Sequence, residues 1–164
     1  MSTDATGTGR GLPWPEGYAR VILPDCDSTM AEAARRARDL TGPTWIMARR
    51  QTEARGRRGR SWIEPPGHFA ATLVFKPYAT PKEAAKRSFL AANALFEALA
   101  IYVDRSKLAL KWPNDVLLNG GKVAGILLES AGSGPYVSWL AIGIGVNLSG
   151  VPKGLDGAAF PPVS

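Results

Sequence analysis

Two adjacent residues, Asn119 and Gly120, limit the folds open to this chain more than any other feature of its sequence. They separate two apolar runs, residues 115–118 and 122–129, and an Asn-Gly pair supplies the left-handed backbone conformations that a tight hairpin turn requires. Such a turn joins antiparallel strands, because parallel strands need a long crossover connection. The sequence therefore predicts a sheet that is at least partly antiparallel.

Periodicity predicts helices and further strands around this hairpin. Apolar residues recur at three- and four-residue steps across residues 81–103, which is typical of an amphipathic helix. An alanine-rich stretch, residues 31–40, predicts a second helix, which residues 27–29 are able to cap. Strands are predicted for residues 18–24, 44–48, 69–76 and 136–147, and a loop for residues 51–67. The predicted fold class is α/β (α+β), with a mixed, largely antiparallel sheet and flanking helices.

Composition excludes several classes of protein and site. The chain has 164 residues with one cysteine and one histidine, Cys26 and His68. That excludes an internal disulfide framework, a multi-cysteine zinc site and a multi-histidine metal cage, and we expect a structural rather than a catalytic His68. No segment approaches the roughly 20 apolar residues of a membrane helix. We therefore expect a cytoplasmic protein without a membrane partner.

Positive charge is concentrated in one segment. Residues 49–60 hold six arginines and one glutamate, a local charge of +5 in a chain whose net charge is +6. A segment of this kind indicates a phosphate-bearing partner, either a nucleic acid or a small polyanion. The alternative is an ordinary solvated loop.

Two further segments carry an unusual side-chain pattern. If residues 141–148 form a strand, Gly143 and Gly145 lie on one face that is almost bare of side chains. Either a ligand or a closely packed helix explains two glycines there. Residues 111–115 display a lysine, an asparagine and an aspartate around the rigid Pro113, with Lys122 just beyond the hairpin. Such a set can bind phosphate and position magnesium.

Five motifs in order resemble a known family. They are residues 27–29, Gln51 followed by residues 55–62, residues 111–115, residues 122–127 and residues 143–147. Together they closely resemble the catalytic domain of biotin protein ligases, within the wider biotin/lipoate ligase group, over roughly residues 21–148. The resemblance implies a fold similar to that of class II aminoacyl-tRNA synthetases.

The resemblance also implies an activity. Family members join biotin to ATP with Mg²⁺, forming biotinyl-AMP and pyrophosphate, and pass biotin to one lysine of the biotin carboxyl carrier domain of a carboxylase. A homodimer is an assembly that the resemblance allows. Within residues 18–164 we expect a catalytic domain that lacks the C-terminal β-barrel of relatives. Residues 1–17 are expected to form a flexible leader without a helix-turn-helix domain, so no DNA binding is expected.

The resemblance assigns roles to individual residues. Biotin would be bound by Ser28, Thr29, Gln51, Arg55, Gly143 and Gly145. The nucleotide would be bound by Arg57, Arg60, Trp62, Asn114, Lys122 and Asn147, with Trp62 stacked on adenine. The catalytic residues would be Arg57, Lys111, Asp115 and Lys122. Asp115 would orient the carrier lysine or accept its proton; the metal ligands stay unassigned, although either asparagine could hold the metal instead of the nucleotide.

Several positions depart from the family pattern: Met30, Glu53, Ala54 and the pair His68-Phe69. These departures leave room for a ligase that uses lipoate or another acyl acid, or for a catalytically weakened binding paralogue. A non-catalytic module that grips nucleic acid through its arginines is a third hypothesis, ranked last because few aromatic residues interleave with those arginines.

Overall fold

The computed structural model describes residues 13–63, 65–151 and 161–164. In this part of the chain, seven strands form one sheet with two α-helices packed against it. The strands are β1 (Ala19–Cys26), β2 (Thr44–Gln51), β3 (Phe69–Phe75), β4 (Leu108–Lys111), β5 (Asp115–Leu118), β6 (Gly121–Ala131) and β7 (Trp139–Val146). The helices are α1 (Thr29–Arg36) and α2 (Pro81–Leu99). Neither helix combines the length and apolar character that crossing a lipid bilayer requires.

The sheet has the order β1-β2-β3-β7-β6-β5-β4. Among these strands, β1 and β2 pair in parallel, whereas the other neighbouring pairs are antiparallel. This confirms the predicted fold class. At the turn between β5 and β6, Asn119 and Gly120 have φ angles of 51° and 80°, the two left-handed residues of a tight hairpin. The hairpin that the sequence predicted is therefore present.

Helix α1 covers the half of the sheet near β2, β3 and β7. Ser28 caps it, because its hydroxyl accepts hydrogen bonds from the backbone N–H groups of Met30 at 3.2 Å and Ala31 at 3.4 Å. The core between α1 and the sheet is made of Met30, Ala33, Ala37, Ile46, Val74 and Ala141. Tight apolar packing on this side fixes the start of α1 against the sheet.

Helix α2 lies on the opposite face. It begins with a capping box in which Thr80 and Glu83 bond reciprocally, and Pro81 occupies its first turn. Its buried residues pack in a core with Ile126, Val137, Leu140 and Ile142. Because Ala141 and Ile142 are consecutive strand residues and point to opposite faces, the two helices sandwich β7.

The observed elements differ from the predicted ones mainly at their ends. The helix predicted for residues 31–40 runs from Thr29 to Arg36, and a turn closed by the Asp39 N–H to Arg36 carbonyl bond (3.0 Å) follows it. Helix α2 ends at Leu99 instead of residue 103, and β7 starts at Trp139 instead of residue 136. The ends of these helices and strands depend on local capping and turn hydrogen bonds, which a pattern of apolar residues does not predict.

Both ends of the chain touch the sheet where they are described. Residues 1–12 of the predicted leader lie outside the described residues; at its end, the Trp14 indole N–H donates to the Tyr18 carbonyl at 2.6 Å. Residues 161–164 run beside the start of β6, where the Lys122 N–H donates to the Pro161 carbonyl at 2.8 Å and the Val163 N–H donates to the Lys122 carbonyl at 3.0 Å. The predicted domain limits remain predictions.

Candidate active site

A buried polar network forms the first part of the site, where α1 begins. The side-chain oxygen of Gln51 accepts hydrogen bonds from the backbone N–H of Thr29 at 2.7 Å and from its hydroxyl at 3.1 Å. The Thr72 hydroxyl, on β3, donates to the Thr29 hydroxyl at 2.9 Å. Thr29, Thr72 and Ser28 are all buried. A few fixed polar groups in an apolar wall are what a small polar ligand needs for orientation.

Arg35 holds the turn before α1, next to this network, through hydrogen bonds. Its guanidinium donates to both carboxylate oxygens of Asp27, at 2.6 and 2.8 Å, and to Glu32 at 2.6 Å. The hydrogen bonds from Arg35, and next the backbone N–H of Ser28, hold the pKa of Asp27 well below its usual range. Arg35 also lowers the pKa of Glu32. Both carboxylates are therefore charged at neutral pH and fix the entry into α1.

Residues 52–62 form a segment that we call the arginine flap. Thr52 and Glu53 anchor its base through backbone hydrogen bonds of 2.9 and 2.7 Å to the end of β1 and the residue after it. The flap then folds back on itself, because the N–H of Trp62 donates to the Ala54 carbonyl at 2.9 Å. A 3₁₀ turn, Arg57–Gly59, forms its tip. The predicted loop is confirmed, because residues 52–62 form no strand; its two sides are joined by an isolated bridge between Arg55 and Ser61.

A carboxylate held by two lysines lies beneath the flap. Lys122 Nζ is 2.8 Å from one carboxylate oxygen of Asp115, and Lys111 Nζ is 3.3 Å from the other. Asp115 is buried, whereas each lysine keeps roughly a third of its side chain exposed. The three residues meet because β4, β5 and β6 are consecutive antiparallel neighbours. The cluster carries one net positive charge and can bind an anion.

Asn114 connects the flap to the sheet. The Arg57 guanidinium donates to the Asn114 side-chain oxygen at 3.1 Å, and the Asn114 amide donates to the Ile126 carbonyl at 2.7 Å. The peptide bond between Trp112 and Pro113 is cis. The Asn114 side chain is thus hydrogen-bonded to β6 through its amide nitrogen and to the arginine flap through its oxygen.

The face of β7 that carries the glycines is covered by two side chains. A Cβ atom at Gly143 would stand 2.9 Å from Met30 Cε, and one at Gly145 would stand 2.8–2.9 Å from the indole of Trp62. Lys122 Nζ lies 5.2 Å from the centre of the Trp62 ring. The sequence left a ligand and a closely packed helix open as reasons for the two glycines, and their role in binding biotin stays a prediction. The backbone is bare, and Met30 and Trp62 fill the space above it.

Two cavities remain around these side chains. The first, about 50 Å³, is bounded by the polar network, Trp62, Lys122 and the two glycines. The second, about 460 Å³, adjoins it through Asn114 and is lined by three cations, Arg57, Arg58 and Lys86, with no carboxylate in its lining. The first is too small for a bicyclic ligand unless a covering side chain moves. The second suits a polyanion.

Most predicted site residues meet in these two places. Ser28, Thr29, Gln51, Arg55, Trp62, Asn114, Lys122, Gly143 and Gly145 line the first cavity, and Arg57 lines the second. Four others line neither: Arg60, Lys111, Asp115 and Asn147. Asp115 contacts both Lys111 and Lys122 and so reaches the first cavity only through Lys122. The side chain of the exposed Arg60 donates a hydrogen bond to the Arg57 carbonyl at 3.4 Å. Arg55 lies 3.8 Å from Glu129.

Thr72 and Lys86 were missed by the sequence analysis. Thr72 is the one polar residue of β3, and it alternates with Ala70 on the cavity side, so the strand pattern carried a signal that identifies it. Lys86 looks like any exposed lysine of an amphipathic helix. Only the packing of α2 beside the flap reveals it.

Comparisons with known proteins agree with this architecture. Residues 22–147 match the model of the biotin/lipoate A/B protein ligase family. A biotin–[acetyl-CoA-carboxylase] ligase of Paracoccus denitrificans is 55% identical over 87% of this chain and 61% of its own length. The namesake ligase of Mycobacterium tuberculosis is 34% identical over 82% of this chain and 51% of its own. This chain thus spans half to three-fifths of the length of these relatives.

Solved structures give the same result. The biotin protein ligase of Leishmania major, in complex with biotinyl-5-AMP, superposes with a TM-score of 0.66 at 28% identity, covering 90% of this chain and 64% of that one. The biotin protein ligase of Aquifex aeolicus, in complex with biotin and ATP, gives 0.60 at 29% identity, covering 82% and 55%. These findings confirm the resemblance drawn from the five motifs.

Proposed function

This chain belongs to the biotin/lipoate A/B protein ligase family, and on that premise we propose that it is the catalytic domain of an ATP-dependent biotin protein ligase. It would form biotinyl-5′-AMP and transfer biotin to a lysine of the biotin carboxyl carrier domain of a carboxylase. Relatives bear that ligase name, and related structures hold biotinyl-AMP or biotin with ATP.

One observation carries the proposal: Lys122 joins three of the sequence motifs. Its ammonium group contacts Asp115, lies over the ring of Trp62 and stands 3.2 Å from the Cβ position of Gly125, whose partner across the β6–β7 ladder is Gly145. Lys122 lines the first cavity, which adjoins the second, cationic cavity through Asn114. A reaction that brings a carboxylate to a phosphate needs positive charge at that point.

The first step would join two anions. A carboxylate oxygen of biotin attacks the α-phosphorus of ATP, a new P–O bond forms, and the bond to the β-phosphate breaks to release pyrophosphate. Lys122 and Arg57 are placed to neutralise the charge that develops on the phosphoryl oxygens. Arg58 and Lys86 line the cavity into which the leaving pyrophosphate would extend. Electrostatics and positioning therefore supply the catalysis.

The second step would release AMP. The ε-amine of the carrier lysine attacks the acyl carbon, an amide bond forms, the acyl–phosphate bond breaks, and the amine loses one proton. Asp115 would orient that amine indirectly, because Lys111 and Lys122 already occupy its two oxygens. No residue of the chain needs to become covalently modified.

Mg²⁺ would enter with the nucleotide. The described residues contain no group of three or more His, Cys, Asp or Glu side chains that could hold a metal ion. Asp115, the buried carboxylate beside Lys122, already contacts two ammonium groups. These residues do not fit a metal held by carboxylates, and we expect phosphate oxygens and water to coordinate Mg²⁺.

The biotin end of the site would be the network of Thr29, Gln51 and Thr72. Its fixed hydroxyl and amide groups suit a cyclic urea, which presents one acceptor oxygen and two N–H donors. Homodimerisation and a cytoplasmic location stay predictions from the sequence.

A second candidate has one observation in its favour. Met30 covers Gly143, and the cavity beside it holds only about 50 Å³, so another acyl acid such as lipoate is an alternative substrate. A methionine side chain is flexible and adapts to different apolar shapes. The two candidates share the adenylation chemistry.

The test is adenylate formation. The protein is incubated with ATP, Mg²⁺ and biotin, lipoate or octanoate, and pyrophosphate release and the acyl-AMP are measured. We expect biotinyl-AMP from biotin, and a loss of about 100-fold or more in Lys122→Ala. Lys107→Ala, which removes an exposed lysine just before β4, is the matched control. Adenylate from lipoate alone would support the second candidate, and normal turnover by Lys122→Ala would refute this site.

A further inference from the structure

Met30 places the methyl end of its thioether directly above the glycine strand. It is one of the positions that depart from the family pattern, and it is only 3% exposed. A Cβ at Gly143 would stand 2.9 Å from Met30 Cε and 3.4 Å from the hydroxyl oxygen of Thr72. The thioether and the polar network of Thr29, Gln51 and Thr72 therefore approach the same point above β7. An apolar group stands where the network meets the strand.

The register of the sheet gives this part of the site two unlike sides. Gly143 pairs with Thr72 on β3 and with Leu127 on β6. Residues that pair directly across neighbouring strands carry their side chains on the same face of the sheet. Thr72, Gly143 and Leu127 thus form one row, and all three line the first cavity. A head group lying across this row would meet hydroxyl groups at one end and an apolar side chain at the other.

The space at the apolar end of the row is already occupied. Leu127 packs against the core cluster to which Met30 belongs, and the cavity left between them and the network has room for only a few water molecules. A single urea ring needs the polar end alone. The second ring that biotin fuses to its urea would lie on the Leu127 side, where the Met30 methyl stands. Because a methionine side chain is unbranched and adaptable, it yields this space at a cost and does not close it.

We propose that Met30 is a specificity-determining residue that takes the place of the second ring, so that the chain uses acids with a single urea ring about as well as biotin. This inference rests on the proposed function. Desthiobiotin represents the class, because it keeps the cyclic urea and an alkyl carboxylate but lacks the sulfur-containing ring. Its carboxylate would attack the α-phosphorus of ATP and release pyrophosphate, with the same bonds forming and breaking as for biotin. One methylene in an apolar pocket changes kcat/KM about 10- to 200-fold, which is the scale of selection expected from one covering side chain.

The test is the ratio of kcat/KM for biotin to kcat/KM for desthiobiotin, measured by pyrophosphate release with ATP and Mg²⁺. In the wild type we expect this ratio to stay below about 10. In Met30→Ala the space above Gly143 opens for the second ring, and the ratio should rise at least about tenfold. Thr72→Val should weaken the use of both acids alike, because both carry the urea, and should leave the ratio unchanged.

Two further variants control for a general packing defect. Met30→Leu keeps nearly the same volume, so it should fold, and its side chain is one atom shorter. It should therefore raise the ratio in the same direction as Met30→Ala. Met47→Ala removes a methionine of β2 that alternates with the core residue Ile46 and so faces the other side of the sheet. It should leave the ratio at the wild-type value.

The outcomes separate this inference from the proposed function. If the wild type makes biotinyl-AMP but prefers biotin more than about tenfold, or if folded Met30→Leu keeps the wild-type ratio, the inference is wrong. If the wild type makes adenylate from neither acid, the proposed function is wrong, and calorimetric titration with the two acids decides the inference. Comparable affinities that diverge in Met30→Leu support it. Affinities that do not change between the two proteins, or no binding of either acid, overturn it.

Discussion

Lys122 and Asp115 form an ion pair of 2.8 Å at the centre of the candidate site, with only 27% and 11% of their side chains exposed. The pair spans the β5–β6 hairpin, and the Asn119-Gly120 turn sets its geometry. Burying these two charged groups removes them from water at a cost in free energy. Each charge is tolerated in the fold only while its partner is present. Lys111 lies 3.3 Å from the other carboxylate oxygen of Asp115.

Removal of the Asp115 charge should therefore destabilise the protein and impair transfer. Asp115→Asn keeps the shape but leaves two ammonium groups without a counter-charge. We expect the free energy of unfolding to fall by about 3 kcal/mol, measured by urea denaturation at pH 7. Transfer to a carrier domain should fall more than adenylate formation. The exposed pair of Glu97 and Arg105 provides the control, since Glu97→Gln should change neither quantity. A stable, fully active Asp115→Asn would contradict the assignment.

Thr72 should matter to both stability and ligand binding. Thr72→Val has nearly the same shape but removes the hydroxyl that donates to Thr29 at 2.9 Å. The loss should be about 1 kcal/mol in unfolding free energy and about five- to tenfold in biotin affinity, because Thr29 loses the bond that orients its hydroxyl. Urea denaturation and calorimetric titration with biotin measure the two effects. Thr52→Val, on the exposed base of the flap, should leave biotin affinity unchanged.

The sequence predicted the central cluster because local rules determine it. The Asn-Gly turn fixed the neighbours β5 and β6, and the spacing of Lys111, Asp115 and Lys122 then placed them together. Residues 27–29 were likewise predicted to cap the first helix, and Ser28 does cap α1. Short-range backbone chemistry suffices for such predictions.

The filling of the glycine face could not be predicted in the same way. Trp62 reaches Gly145 only because the flap folds back on Ala54, and Met30 reaches Gly143 only because α1 packs across β3 and β7. Both contacts join segments far apart in sequence. Neither residue lies in a periodic pattern that points to such a partner, so tertiary packing alone decides them.

Acid should weaken the turn that precedes α1. Hydrogen bonds from Arg35 hold the folded-state pKa of Asp27 below its ordinary value of 3.8. A carboxylate with a depressed pKa contributes stability above its ordinary pKa and loses it as the pH falls through the folded-state value. Asp27→Asn should thus be less stable than the wild type at pH 6, and the difference should shrink below pH 3.8.

The size of this effect is limited because Asp27 and Arg35 are 37% and 52% exposed. We expect a difference of at most about 1 kcal/mol, measured as unfolding free energy in urea from pH 6 to pH 2.5. Added salt should reduce it. A constant difference across this range would show that the charge of Asp27 contributes nothing.

The glycine face offers the sharpest steric test. A methyl group at Gly145 would stand within 2.8–2.9 Å of the Trp62 indole, closer than a real contact allows, and would occupy the face on which the ligand is proposed to lie. Gly134→Ala is the matched control, because a Cβ there meets nothing within 4 Å and its φ is not left-handed. Gly145→Ala should displace Trp62 at a cost of about 1–3 kcal/mol and lower the rate of adenylate formation at least about tenfold.

Trp62→Ala would relieve the clash, so Gly145→Ala should cost less stability in that background. If Gly145→Ala and Gly134→Ala behave alike in stability and rate, Trp62 does not cover the strand, and the proposed acyl site lies elsewhere.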